Sequence, residues 1–175
     1  METNTVLDCL KTRRAIRTFL PDPVETEKLE AILEAGTYAP TGMGKQAPII
    51  IAITDPEKRE KIRKMNAAVM NKPDADPFYG APVILIVLAD KNVATYIYDG
   101  SLVMGNLMNA AHSLGVGSIW IHRAKQEFET EEGKAFLKEL GIEGDYEGIG
   151  HCALGDSAKE PAAPSPRKEN YIYRV

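Results

Sequence analysis

From about Tyr98 to Leu114 the chain is apolar on nearly every side, with Gly105, Ala110 and Ala111 as small positions. A helix of that kind has no face to give to water and must be surrounded. Its small residues let another helix approach closely. Gly115 and Gly117 follow and end it. Whatever this chain folds into is built around that helix.

Two β-branched runs supply its partners. Ile49 to Ile53 and Val83 to Leu88 are continuously apolar, the pattern of strands covered on both faces. Asp55-Pro56 turns the first into a polar amphipathic helix. Ser118 to Ile121 predicts a short strand, Glu129 to Leu140 a charged surface helix, and Ile149 to Leu154 a last strand. Near the start, Asn4 or Thr5 caps a short helix carrying Val6, Leu7 and Leu10. A second helix begins at Thr26, buries a stripe of Leu29, Ile32 and Leu33, and stops at Pro40. Pattern alone reads as α/β with helices dominant.

A length of 175 residues allows one domain with a real core, so a single domain over 1–175 is expected. Residues 158–175 contain Pro161, Pro164 and Pro166 and no apolar period before Tyr171-Ile172-Tyr173. This is an extended arm that needs something to dock on. No stretch reaches the length of a membrane span, and Met1 to Leu10 lacks the basic start and apolar run of a secretory signal. The cytoplasm is the expected compartment. Cys9 and Cys152 lie far apart in sequence and are expected to be reduced, buried thiols. A net charge of −4 disfavours general attraction to nucleic acid or anionic lipid.

Local charge is more informative. Arg13, Arg14 and Arg17 fall within five residues after the first helix, and guanidinium groups hold phosphate oxygens through paired hydrogen bonds. An isolated cluster of this kind is commonly just a solvated basic face. A second pair, Arg167 and Lys168, sits in the arm. The loop from Pro40 to Gln46 combines two glycines with a hydroxyl and an amide, suited to wrapping a ligand's polar edge or simply to connecting two elements. Gly115-Val116-Gly117 follows a helix and precedes a strand, the reverse of a dinucleotide-binding fingerprint. His112, His122 and His151 lack metal-ligand spacing with carboxylates, and a satisfied core or surface role is expected of each.

In order and spacing these segments resemble the nitroreductase family, from Leu10 through the arm. Arg13-Arg14-Ala15-Ile16-Arg17-Thr18-Phe19 is similar to its N-terminal signature. Tyr38 to Gln46 is similar to its second, and Gly105-Asn106 through Gly115 to Ile121 to its third. The resemblance implies an α+β three-layer sandwich, a mixed, mostly antiparallel sheet flanked by helices, in an intertwined homodimer with FMN at the subunit interface. It assigns the phosphate and ribityl chain to Arg13, Arg14, Ala15 and Arg17, with Arg167 closing from the arm. It assigns flavin contacts from the other subunit to Pro40, Thr41, Gly42, Gly44 and Gln46. Backbone groups at Ile121, His122 and Arg123 are implied beside the reactive flavin edge, with His122 a candidate proton donor. The implied activity is ping-pong electron transfer from NADH or NADPH to a small organic acceptor such as a nitroaromatic or quinone, without a protein catalytic triad and without metal.

The sequence also departs from the family pattern. Ala15 stands where serine is common, Gly44 where asparagine is usual, and Ser165 where some members carry lysine. Phe78 and Tyr79 are candidates for the substrate cavity or for the core. Other readings of the same residues are a flavin-binding redox sensor, a relative with different flavin chemistry such as dehalogenation, and a nucleic-acid binder using the arginine cluster. The net charge and the lack of a basic helix face disfavour the last.

Overall fold

A computed structural model describes residues 4–175. Met1 to Thr3, where the segment read for a secretory signal begins, lie outside the described residues. The chain begins with α1 (Thr5–Thr12) and α2 (Thr26–Thr37), then β1 (Pro48–Ile53), α3 (Pro56–Val69) and β2 (Val83–Asp90). It continues with α4 (Tyr96–Ser113), β3 (Gly117–Ile121), α5 (Ala124–Glu129), α6 (Glu131–Glu139) and β4 (Tyr146–Gly155). Local chemistry sets several of the helix starts. The Asn4 side chain accepts from the Val6 and Leu7 amides, Asp55 accepts from Lys58 ahead of Pro56, and Thr130 accepts from Gly133. Each removes an orphan amide at a helix N-terminus.

The strands form one sheet in the order β1-β2-β4-β3, with every neighbouring pair antiparallel. This is an α+β fold. The α/β reading of the bare pattern is corrected here: helices separate the strands in sequence, but the connections return each strand in the opposite sense to its neighbour. Among the described residues, parallel pairing is confined to an isolated bridge between Ala15 and Ser118.

Strand β2 lies inside the sheet and is buried along almost its whole length. Its alternate residues divide between two cores, as a pleated strand requires. Ile84, Ile86 and Leu88 join Ile62 and Met65 of α3, Phe128 of α5 and Phe136 of α6. Val83, Leu85, Val87 and Ala89 join Leu29 and Ile32 of α2 and Met104 and Leu107 of α4. These are the three layers. Ile149 is the extra residue of a bulge in β4 opposite Val87 and Leu88, and it packs against Gly100 of α4.

Three expectations about single elements change. The apolar run Ile49–Ile53 is an edge strand, with Ile49, Ile50 and Ile51 only partly buried. Its continuous hydrophobicity therefore marks an uncovered edge rather than a strand enclosed by this chain. The predicted charged helix 129–140 is α6, which starts at Glu131 and buries Phe136 completely, and the sequence reading missed the short α5 just ahead of it. The apolar helix α4 buries Val103, Met104, Leu107 and Ala111 but leaves Leu102 46% and Tyr98 72% exposed.

Candidate active site

The arginine segment leaves α1 in extended form and lies along two other parts of the chain. The Ile16 amide donates to the Ser118 carbonyl at 3.0 Å. The Leu20 amide donates to Asp156, and the Ala158 amide donates back to Thr18. The arm thus starts beside the arginine segment and folds back over it. Together they line a cleft of about 1050 Å³ that holds Arg13, Arg14, Ala15, Arg17, Ser165 and Arg167.

The charges in this cleft are available. Arg59 and Arg63 elsewhere are engaged with Asp76 and Glu60, whereas Arg13 and Arg17 meet no carboxylate among the described residues. Arg14 is turned onto the backbone, donating to the carbonyls of Lys11 at 2.8 Å and Arg13 at 2.7 Å. Arg167 donates to the Ser165 carbonyl at 2.6 Å. Clustered guanidinium groups without acidic partners repel one another and favour an anion between them. A phosphate answers that description.

Beneath the cleft, burial pushes the Cys152 thiol up to about 12, with the Arg13 charge acting in the opposite sense. Cys9 is only partly buried, contrary to expectation, and its thiol faces the Asn109 carbonyl.

The second predicted group stands apart from the cleft. Gly42 and Gly44 form a short helical turn between Thr41 and Lys45, and Thr41 and Gln46 line a separate cavity of about 620 Å³ between α2 and β1. Pro40 and Gln46 are exposed. The loop is tightly specified: the Gly42 amide donates to Asp99 Oδ1 at 3.0 Å, and Thr95 Oγ1 donates to Asp99 Oδ2. Any side chain at Gly42 would overlap Thr95. The Gln46 amide donates to Thr41 Oγ1 at 3.1 Å.

The third group ends β3. Ile121 is buried and paired with His151 of β4, His122 is exposed, and Arg123 takes a left-handed conformation at φ 81°. Neither this group nor the Pro40–Gln46 loop lines the arginine cleft. Of the candidate cavity residues, Phe78 is fully buried with its ring edge-on to His151, and Tyr79 is 41% exposed. Phe78 therefore belongs to the core.

Three buried polar residues, Asp99, Asn66 and Glu127, escaped the sequence reading, and a fourth, His151, was read only as a satisfied core or surface histidine. Asp99 is the sole carboxylate in the apolar helix α4, and that isolation was the available signal. Asn66, Glu127 and His151 form a cluster with no solvent exposure. The signal there was a histidine inside an otherwise apolar strand; nothing in the charged stretch around Glu127 marks it. His151 is not the satisfied core histidine that was expected. Its Nε2 lies 3.2 Å from Glu127 Oε2, but neither ring nitrogen makes an aligned hydrogen bond.

Comparison with known proteins follows the same residues. A protein of Archaeoglobus fulgidus with the provisional name NADH dehydrogenase/NAD(P)H nitroreductase is 32% identical over 143 residues, covering 77% of each chain. A Methanothermobacter thermautotrophicus protein of the same provisional name is 31% identical over 119 residues, which span 66% of this chain and 59% of that one. The crystal structure of a nitroreductase from Bacteroides fragilis with bound FMN superposes with a TM-score of 0.90 at 28% identity, covering 99% of this chain and 100% of the other. Residues 10–156, which hold the arginine segment, the anchored loop and the β3 turn, match the nitroreductase family profile, and the chain belongs to that family.

Proposed function

We propose that this chain is an FMN-dependent oxidoreductase that passes electrons from NADH or NADPH to a small organic acceptor, and that it works in the cytoplasm as a homodimer. The observation that carries the reading is the cleft in which Arg13, Arg17 and Arg167 converge. The fit of FMN to it rests on unpaired guanidinium donors for a phosphate dianion and on a volume of about 1050 Å³, at the upper end of the few hundred to about 1,000 Å³ of small-molecule sites. The B. fragilis structure with bound FMN, superposing at a TM-score of 0.90, supports it. When bound, FMN supplies the transfer of electrons between nicotinamide and acceptor.

The residues of this chain then have defined tasks. Arg13, Arg17 and Arg167 hold the phosphate, and Arg14 and Ala15 line the same wall. Ala15 offers no hydroxyl, which leaves more of the phosphate binding to the arginines. Ile121, His122 and Arg123 present backbone to the flavin edge. Pro40, Thr41, Gly42, Gly44 and Gln46 complete the pocket of the other subunit, a role in keeping with their separation from the cleft.

The dimer rests on three features of the single chain. Helix α4 bares Ile97, Tyr98 and Leu102, a side chain at Gly105 would meet open space, and β1 has one unpaired edge. The arm ends in exposed Tyr171, Ile172 and Tyr173, which gives it an apolar segment to lay on a partner. Among the described residues no helix is long and apolar enough to cross a membrane.

The test is an absorption spectrum of the purified protein before and after anaerobic NADH and NADPH. Yellow protein that bleaches with either donor is expected, and turnover with a panel of nitroaromatic, quinone and halogenated acceptors then sorts the substrate class. Arg13→Ala and Arg167→Ala should each weaken FMN binding by about 1.5–3 kcal/mol, the loss of a charge-assisted contact. Colourless protein that cannot be reconstituted with FMN would overturn the reading. Yellow protein that neither donor reduces would instead favour a flavin-binding sensor.

A further inference from the structure

The Asn66–Glu127–His151 cluster sits directly behind the turn at His122 and Arg123. Asn66 Nδ2 donates to Glu127 Oε2 at 2.8 Å and to the His122 carbonyl at 3.3 Å. Asn66 Oδ1 accepts from Arg123 Nε at 3.0 Å. A carboxylate only accepts and a guanidinium only donates, so both neighbours demand the same orientation of the Asn66 amide. Each end of that amide then grips one residue of the turn. Arg123 needs such support, because a left-handed backbone at a residue other than glycine carries a conformational cost.

Glu127 sets this orientation by presenting Oε2 as an acceptor to Asn66 Nδ2. His151 Nε2 stands 3.2 Å from the same carboxylate oxygen, on a residue paired across the sheet with Ile121. Phe78 edge-on at 5.3 Å and Phe128 stacked at 6.4 Å fix its ring. Buried polar atoms without hydrogen-bond partners, here Glu127 Oε1 and both His151 ring nitrogens, are costly, and packing alone does not call for them.

We propose that Glu127, buried beside His151, is a positioning residue that acts through Asn66 to fix the turn at His122 and Arg123 against the flavin edge. The proposal rests on the FMN reading above and assigns that turn its source of rigidity.

The test compares FMN dissociation constants, the visible band of bound FMN and thermal midpoints for the full-length parent, Glu127→Gln, Arg123→Gly, Arg13→Ala and the double variants. Glutamine keeps the size of Glu127 but both donates and accepts, so Arg123 alone is left to dictate the Asn66 amide. Glu127→Gln should bind FMN about threefold to tenfold more weakly, the worth of one hydrogen bond, and should shift the visible band. Because Glu127 and Arg123 act in series, Glu127→Gln should add nothing to Arg123→Gly, where glycine adopts the turn unaided. Its loss should multiply with that of Arg13→Ala. His151→Asn, which removes the ring packed beside Glu127, should reproduce the band shift and serves in place of Glu127→Gln if that variant does not fold.

An unshifted band with parental FMN affinity overturns the proposal, as does a loss that multiplies with Arg123→Gly. If Arg13→Ala weakens FMN while Glu127→Gln and His151→Asn do not, only this proposal fails. A parent that binds no FMN overturns it together with the functional reading.

Discussion

On one face of the sheet α3, α5 and α6 close over Ile84, Ile86 and Leu88, and the core there is sealed by Phe128 and Phe136. On the other face α4 covers Leu85 and Val87 with Met104 and Leu107 but turns Ile97, Tyr98 and Leu102 to solvent. The first face holds a buried glutamate beside a buried histidine and the second an inert thiol. The contrast separates what the chain completes by itself from the surface that the proposed dimer would cover. Stability and association should therefore respond to different mutations.

The sharpest probe of the closed face is Phe136→Ala. Removing a fully buried ring should cost about 3–5 kcal/mol, and the loss in denaturant melts should be the same at every protein concentration. A loss that shrinks as the protein is concentrated would mean that this face also depends on a partner.

Leu102→Asp probes the open face. It should weaken dimerisation by about 2 kcal/mol, the scale of an interface hot spot, as read by sedimentation across a dilution series. The stability of the monomer at high dilution should stay near that of the parent, since the side chain already meets water there. Parental self-association in this variant would break the comparison and place the partner elsewhere.

The smallest effect, taken per pH unit, concerns how dry the inner side of α4 is. Cys152 packs in that core, and burial raises its thiol from an ordinary value of 9.0 to about 12. Below pH 9 both folded and unfolded chains keep the proton, so the group's contribution is fully present. Between pH 9 and about 12 the unfolded chain loses the proton and the folded chain keeps it. Stability should fall there by up to about 1.4 kcal/mol per pH unit from this group. Cys152→Ala should flatten that part of the slope in urea melts, and an unchanged slope would mean that water reaches the thiol.

Much of the site was legible because its chemistry is carried by short segments. Arg13, Arg14 and Arg17 stand out by composition, and the glycines of the Pro40–Gln46 loop by their conformational licence. Gly42 is a case in point: its lack of a side chain proved necessary, for a reason that only Thr95 supplies. The meeting of Arg167 with Arg13 was an expectation of family resemblance, and the strand-like contacts of Thr18 and Leu20 with the start of the arm are what bring it about. The cluster of Asn66, Glu127 and His151 was illegible. Its members lie on α3, α5 and β4, and no local pattern couples positions so far apart in the chain.

The sequence by itself determined which segments are helix and which are strand, because apolar period, capping residues and β-branched runs act over a few neighbouring residues. It also determined that the net-acidic chain carries a local concentration of arginine. Tertiary structure decided the antiparallel sense of the sheet, the edge position of Ile49–Ile53 and the burial of Glu127 beside His151. Those depend on which elements become neighbours in space. Burial, and with it the cost of a charge, belongs to the surroundings of a residue rather than to the residue itself.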